Sequence, residues 1–393
     1  MFSSMTSGLE CNPDKLFWQS EEFLFMKNLN IVLDENIPFA REYFGHLGNL
    51  TFLPGRTITS GDLTDADALI VRSVTKVNEN LLKDAHKLSY VGTCTIGTDH
   101  VDKDYLARRG ISFASAPGCN RVSVGEYVIS SLLACGYELS GKTFGVIGAG
   151  NTGTASGSIA SLLGATVLYC DPFKEQKSSE DGLHYVSCSD ALACDIVTFH
   201  VPLTRDGDYP TFHMLDEDEI SDLRENQILI NASRGDVWNN TALLKRKMSG
   251  SRVSLIIDVW ENEPQVLTGL IPYTAIATPH IAGYSAEGKL NGTSMIASDL
   301  CHRLGIEPVH PGSLLPDLGF IAHGTEDIKS LVLQVYNPIR DDEIFRREYQ
   351  GPDSFDMMRK NYPGRRQWSA LRIKCSDPHQ AQLLSRLGFS VYE

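Results

Sequence analysis

The run Phe144-Gly145-Val146-Ile147-Gly148-Ala149-Gly150-Asn151-Thr152-Gly153 decides the fold. An apolar, strand-like stretch passes through three glycines in G-x-G-x-x-G spacing into a helix-compatible stretch that ends near Leu163. The first glycine serves a tight turn, the second lets the backbone approach a pyrophosphate, and the third lets the helix pack close to the strand. The free N–H groups at the helix start then face the phosphates. Gly148, Gly150 and Gly153 are therefore candidate dinucleotide contacts. The spacing alone would also suit an unrelated α/β loop or a methyltransferase. Asp171 strengthens the dinucleotide reading, because it lies 18 residues after Gly153 at the end of the next apolar run. A carboxylate there accepts from both ribose hydroxyls and repels a 2′-phosphate, which favours NAD over NADP.

Outward from this run, short β-branched segments alternate with helical patterns, which implies parallel strands with crossover helices. Before it come Leu29–Leu33, Ala68–Val71, Tyr90–Gly92 and Ile111–Phe113. From it onward come Phe144–Ile147, Thr166–Tyr169, Ile196–Phe199, Gln227–Ile230, Ser254–Ile257 and Ala275–Ala277. Two doubly wound units follow, with Val122–Cys135 and Ala286–Leu304 as the helices that join them. After about Pro311 prolines punctuate short helical stretches and one strand, Ala370–Lys374. Residues 1–28 read as a disordered N-terminal extension, with Met1 or Met26 as the start.

The chain has 393 residues, enough for two or three domains. Forty-nine Asp and Glu against 35 Lys and Arg give a net charge of −14, which argues against nucleic-acid or membrane-surface partners. Residues 325–393 hold eleven Lys and Arg against ten Asp and Glu, so the excess negative charge lies before them. No apolar run approaches the roughly 18 residues of a membrane helix, and the N-terminus lacks a secretory pattern, so the expected location is cytoplasmic. Nine cysteines without a C-x-x-C pair suit reduced thiols better than disulfides or a metal site; no metal is expected.

Three polar residues follow strands of the second unit, where ligands bind in an open parallel sheet. They are Arg234 in Asn231-Ala232-Ser233-Arg234-Gly235, Glu263 after Ile256–Trp260, and His280 after Ala275–Pro279. Taken singly, each would more often be a structural histidine or a solvated charge. Together they suit the oxidation of a 2-hydroxy acid. His280 takes the hydroxyl proton as hydride leaves C2, a carboxylate fixes its tautomer, and the planar fork of Arg234 holds the substrate carboxylate and polarises the C2 oxygen. Spacing alone leaves Glu263, Asp258 and Glu261 as candidates for the carboxylate.

Gly148–Gly153, Asn231–Gly235, Asp258–Pro264 and Thr278–Tyr284 resemble the D-2-hydroxyacid dehydrogenase superfamily. Within it, Asp34–Asn36, Val71–Asn78, Gly97–Asp102 and Ala116–Asn120 resemble the erythronate-4-phosphate dehydrogenases of vitamin B6 synthesis. Arg359-Lys360-Asn361-Tyr362 and Arg366-Gln367-Trp368-Ser369 resemble the C-terminal domain peculiar to that branch. The resemblance implies a flavodoxin-like substrate domain (29–120 and 283–312), a Rossmann NAD domain (121–282) and a small α+β C-terminal dimerisation domain (313–393) that makes a homodimer. It implies Arg234, Glu263 and His280 as catalytic residues. Asp171, Val201, Asp258 and Gly283 would join the glycines as cofactor contacts, and Ser73, Thr95 and Tyr284 would contact substrate. The implied reaction is NAD-dependent oxidation of 4-phospho-D-erythronate, with Arg72 and Lys76 as candidates for the phosphate. Alternatives are a dehydrogenase for another acid such as 3-phosphoglycerate, or a non-catalytic NADH-sensing corepressor. The chain departs from the family at Thr154 and Ala155, where a basic residue often follows the third glycine. It departs again at Val201, often threonine, and at Asp236, Trp238 and Asn239.

Overall fold

The computed structural model describes residues 28–175, 181–318 and 321–392, so the extension expected over 1–28 lies, but for Asn28, outside the described residues. The contacts divide the chain into two compact units. One runs to Ser115 and resumes for Ile296–Pro311; the other is Ala116–Met295, continued from Gly312.

The first unit is built on β1 (Leu29–Asp34), β2 (Gly48–Leu53), β3 (Ala68–Val71), β4 (Tyr90–Thr93) and β5 (Ser112–Ala114). All pairs are parallel and the order is β2-β1-β3-β4-β5, the flavodoxin-like arrangement that the resemblance implies. β3 and β4 are buried at every residue, which is why they read as continuous apolar runs. β2 escapes the sequence reading because it is an edge strand whose residues Gly48, Asn49 and Thr51 leave no such run.

The second unit holds β6 (Thr143–Ile147), β7 (Thr166–Cys170), β8 (Ile196–Phe199), β9 (Ile228–Asn231), β10 (Ser254–Ile257) and β11 (Ile276–Ala277). They form a parallel sheet in the order β11-β10-β9-β8-β6-β7. Beyond β7 a parallel bridge joins Tyr169 to Tyr185. Strand order reverses at β6, which places the crevice of a doubly wound sheet at the glycine run. The helix Arg121–Ala134 is buried from Ser123 to Leu132, so it is a core helix with apolar and small residues all round. Gly125 lets it approach the next helix, Asn151–Leu162: a Cβ there would stand 3.2 Å from the Ala155 carbonyl carbon.

Within the same unit the C-terminal region forms a parallel sheet of β12 (Ile321–His323), β13 (Arg372–Lys374) and β14 (Ser390–Tyr392), flanked by helices. Only β13 is foreseen, because buried Ala370 and Leu371 just before it and Ile373 within it lengthen the apolar run, whereas the three residues of β12 and of β14 carry no readable periodicity. This region shares its core with the six-stranded sheet. Phe345 stacks on Trp260 at 5.6 Å, the buried Asp342 carboxylate accepts from Ala277 N at 2.7 Å, and Trp368 N donates to Glu126 at 2.9 Å.

Glu126 is buried, and one of its oxygens finds no partner. Burial pushes its carboxyl up to about 8, against the opposing pull of the Trp368 N–H and the Arg365 guanidinium. The native protein thus keeps a proton that the unfolded chain releases near 4.5, so this group's contribution to stability falls as pH rises from 4.5 through about 8. Glu126→Gln carries N–H groups in place of that proton. It is expected to melt several degrees above wild type at pH 8.5 and close to it at pH 5; paired melting curves check this.

Candidate active site

The glycine run after β6 folds as its spacing requires. Gly148 sits at φ 96°, in the left-handed region, and a Cβ there would stand 2.9 Å from the His200 carbonyl and from Val201 Cγ1. A Cβ on Gly153 would lie 2.0 Å from the Gly148 oxygen, so only glycine lets this helix turn close against the loop. Gly150 is different: nothing lies within 4 Å of its Cβ position, so open space remains for a ligand to approach the backbone. Gly150 also caps the helix Asn151–Leu162 without a side chain, leaving first-turn N–H groups for phosphate oxygens. Thr154 Oγ1 donates to the Gly150 carbonyl at 2.8 Å and so braces this turn. Asp171, just after β7, accepts from Ala149 N at 3.1 Å, which fixes its carboxylate beside the loop. These residues fit a dinucleotide. Val201, half-buried after β8, lies at the same turn, its Cγ1 in the space that a side chain on Gly148 would take.

At the end of β9, Asn231 organises the arginine loop. Its Oδ1 accepts from Ser233 N (3.1 Å) and Oγ (2.8 Å), and its Nδ2 donates to the Arg234 carbonyl at 3.0 Å. Arg234 is half-buried, and its Nη1 donates to the Ser233 carbonyl at 2.8 Å. Gly235 brings this loop against the one after β10, since a Cβ would lie 1.9 Å from the Trp260 oxygen. Asn239 caps the helix Asn240–Met248 by accepting from Ala242 N at 2.9 Å, a role aspartate fills equally well. Trp238 is buried edge-on to Phe199 at 5.3 Å.

The three candidate carboxylates are separated by their partners. Glu261 accepts from Asn240 N at 3.0 Å and pairs with His213 Nε2 at 2.6 Å. Asp258, 1% exposed, accepts from Thr278 Oγ1 (2.7 Å), Ile281 N (2.7 Å) and Ala282 N (3.0 Å). A carboxylate offers about four lone pairs, so one remains for a cofactor amide. Glu263 is the one on His280: its Oε1 is hydrogen-bonded to Nδ1, while Oε2 accepts from Trp260 N at 3.1 Å. Burial pushes the Glu263 carboxyl up, but His280, the Trp260 N–H and the Arg359 guanidinium outweigh it and hold it below its ordinary value. An ionised carboxylate only accepts, so Nδ1 carries the hydrogen, which in the neutral ring leaves the lone pair on Nε2. His280 sits at φ 57°, a conformation that costs a non-glycine residue about 1–2 kcal/mol and is held by the Asp258 bonds around it.

Sequence reading misses two arginines from the C-terminal region. Arg365 is buried and donates to the carbonyls of Ile281 (3.0 Å), Ala282 (2.5 Å) and Ser123 (2.7 Å). The Ile281 and Ala282 peptides are thus gripped by Asp258 on their N–H side and Arg365 on their carbonyl side. Arg359 Nη2 donates to Tyr284 Oη at 3.1 Å. Gly283, between them, leaves room for Asn120, whose Nδ2 would be 2.1 Å from a Cβ. In the first unit, Ser73 is exposed, and Thr95 Oγ1 bonds to Thr93 Oγ1 (2.8 Å) and the Gly97 carbonyl (3.1 Å). Arg72 is paired with the buried Asp34 at 3.0 Å, and Lys76 is exposed.

Residues 118–282 match the family described as D-isomer specific 2-hydroxyacid dehydrogenase, NAD binding domain. The erythronate-4-phosphate dehydrogenase of Tolumonas auensis is 50% identical over 374 residues, covering 92% of this chain and 99% of the relative. The chain belongs to the erythronate-4-phosphate dehydrogenase family. That of Escherichia coli O81 is 45% identical over 92% of this chain and 98% of its own. Residues 321–388 match a domain of unknown function, DUF3410. Among solved structures, D-lactate dehydrogenase of Aquifex aeolicus, complexed with NAD and lactic acid, shares 25% identity at a TM-score of 0.59, covering 70% of this chain and 96% of that one. The NAD-bound 3-phosphoglycerate dehydrogenase of Entamoeba histolytica shares the fold at a TM-score of 0.60 and 23% identity, over 71% and 96% of the two chains. Membership makes the chain an NAD-dependent oxidoreductase. Among the described residues no helix is long and apolar enough to cross a membrane.

Proposed function

We propose that the chain oxidises 4-phospho-D-erythronate at C2 to (R)-3-hydroxy-2-oxo-4-phosphobutanoate, a step toward pyridoxal 5′-phosphate. The observation that carries this reading is the Glu263–His280 pair, seated after two neighbouring strands of an NAD-type sheet. Bound NAD supplies the hydride acceptor, held by the glycine turn, Asp171, the backbone at Val201, and Asp258 and Gly283. His280 Nε2 takes the C2 hydroxyl proton, and Glu263 stabilises the imidazolium that results. Arg234 holds the substrate carboxylate and the C2 oxygen with its planar fork. Ser73, Thr95 and Tyr284 are assigned to the substrate by the family resemblance. The division into a substrate part (29–120, 283–312), an NAD part (121–282) and a C-terminal part (313–393) belongs to the same proposal. So do a cytoplasmic location and a homodimer made through the C-terminal part.

Support for the homodimer comes from apolar side chains left open there: Ile321 on the edge strand β12 is 49% exposed and Met357 54%. Light scattering is expected to give twice the chain mass, and a monomer would remove this part of the proposal. For the chemistry, purified protein with NAD and a panel of 2-hydroxy acids is expected to make NADH fastest with 4-phospho-D-erythronate. A clear preference for 3-phosphoglycerate would overturn the substrate. His280→Ala is expected to lower kcat/KM by roughly 100- to 10,000-fold, the usual worth of a general base, with NADH affinity retained.

A further inference from the structure

The substrate proposed above carries two anions, and Arg234 accounts for one. Arg72, a sequence candidate for the phosphate, already holds the buried Asp34. The side chain whose surroundings suit a second anion is Arg359, on the helix Pro352–Lys360 of the C-terminal region. It reaches the catalytic groups of its own unit: its charge helps hold the Glu263 carboxyl down, and its Nη2 bonds Tyr284 Oη. That hydroxyl is a neutral partner, and the buried Nε has no hydrogen-bond partner. The hydrogen bonds of Glu263 go to His280 and Trp260 N rather than to Arg359, so its attraction to the guanidinium acts without a direct bond. A largely desolvated guanidinium in this condition is costly unless an anion completes it.

Tyr284 adds a second line of argument. Arginine only donates, so the Tyr284 oxygen accepts from Arg359 and its own O–H is left to donate elsewhere. A second cation lies at the same ring, with Lys289 Nζ 5.0 Å from its centroid. The loop that carries Tyr284 is fixed by Arg365 through the Ile281 and Ala282 carbonyls, so the hydroxyl is presented from a rigid segment. Two cations and a spare hydroxyl donor beside the catalytic pair make a site for a phosphate group.

We propose that Arg359, with Lys289 and the Tyr284 hydroxyl, binds the phosphate of the substrate, so that the C-terminal region sets the enzyme's preference for a phosphorylated acid. This rests on the function proposed above, and the test separates the two. Arg359→Met and Arg359→Lys are compared with wild type for kcat/KM on 4-phospho-D-erythronate and on D-erythronate. The preference for the phosphorylated acid is expected to fall on the order of 100-fold in Arg359→Met and less in Arg359→Lys, as befits loss of a buried charged partner. An equal loss on both acids, or none, overturns the proposal. Failure of wild type to oxidise 4-phospho-D-erythronate would count against the function alone. The anion site is then read by calorimetry of inorganic phosphate on NADH-loaded protein: wild type binds, and Arg359→Met binds at least ~10-fold more weakly. Equal binding by the variant, or no binding by wild type, overturns the phosphate site. NADH affinity equal to wild type shows that the variants are folded.

Discussion

A carboxylate that is 1% exposed at the end of a strand is costly unless donors surround it, and at Asp258 they do. Thr278, Ile281 and Ala282 supply those donors, and burial still raises its carboxyl above the ordinary range despite the nearby His280. In satisfying itself, Asp258 shapes the loop after β11. The bonds before and after His280 pin that residue in the left-handed conformation and turn its Nδ1 toward Glu263. Arg365 closes the grip from the carbonyl side, and it comes from a segment some eighty residues further along the chain. The proposed catalytic geometry, the cofactor sheet and the C-terminal region therefore meet at one pair of peptides.

What the sequence makes legible follows from locality. β3, β4 and the inner strands of the NAD sheet read directly because both faces are buried, and the glycine run reads because each glycine answers a local backbone demand. Arg234, Glu263 and His280 are legible as polar residues after consecutive apolar runs. Spacing alone leaves Glu263, Glu261 and Asp258 open and the family resemblance implies Glu263; the folded partners separate the three, since Glu261 turns to His213 and Asp258 to Thr278 and backbone. β12 and β14 are too short to carry a period, and β2 is an edge whose polar residues hide it. Arg359 and Arg365 stay hidden because their partners lie about 75 and 84 positions away. A charged residue in a proline-punctuated stretch otherwise looks like a solvated surface group.

The acidity of the chain also takes on a local meaning. A net charge of −14 disfavours an anionic cofactor and substrate as a whole, so the attraction has to be built where they bind. In the proposed function it comes from backbone N–H groups at the helix after Gly150, from Arg234, and from the cations beside Tyr284. Short-range contacts of this kind resist screening by salt better than a long-range field does. Asn231 and Asp258 serve the same end, since each uses a buried polar side chain to hold the loop that presents a charged one.

Asp258 holds the His280 loop on which the catalytic pair depends, and amide hydrogen exchange in Asp258→Asn tests this directly. The amide replacement loses an acceptor for Ala282 N. Exchange at the Ile281 and Ala282 amides is expected to be faster by roughly 10- to 100-fold, for the loss of one charge-assisted bond, while β10 stays protected. Protection at Ala282 equal to wild type would contradict it.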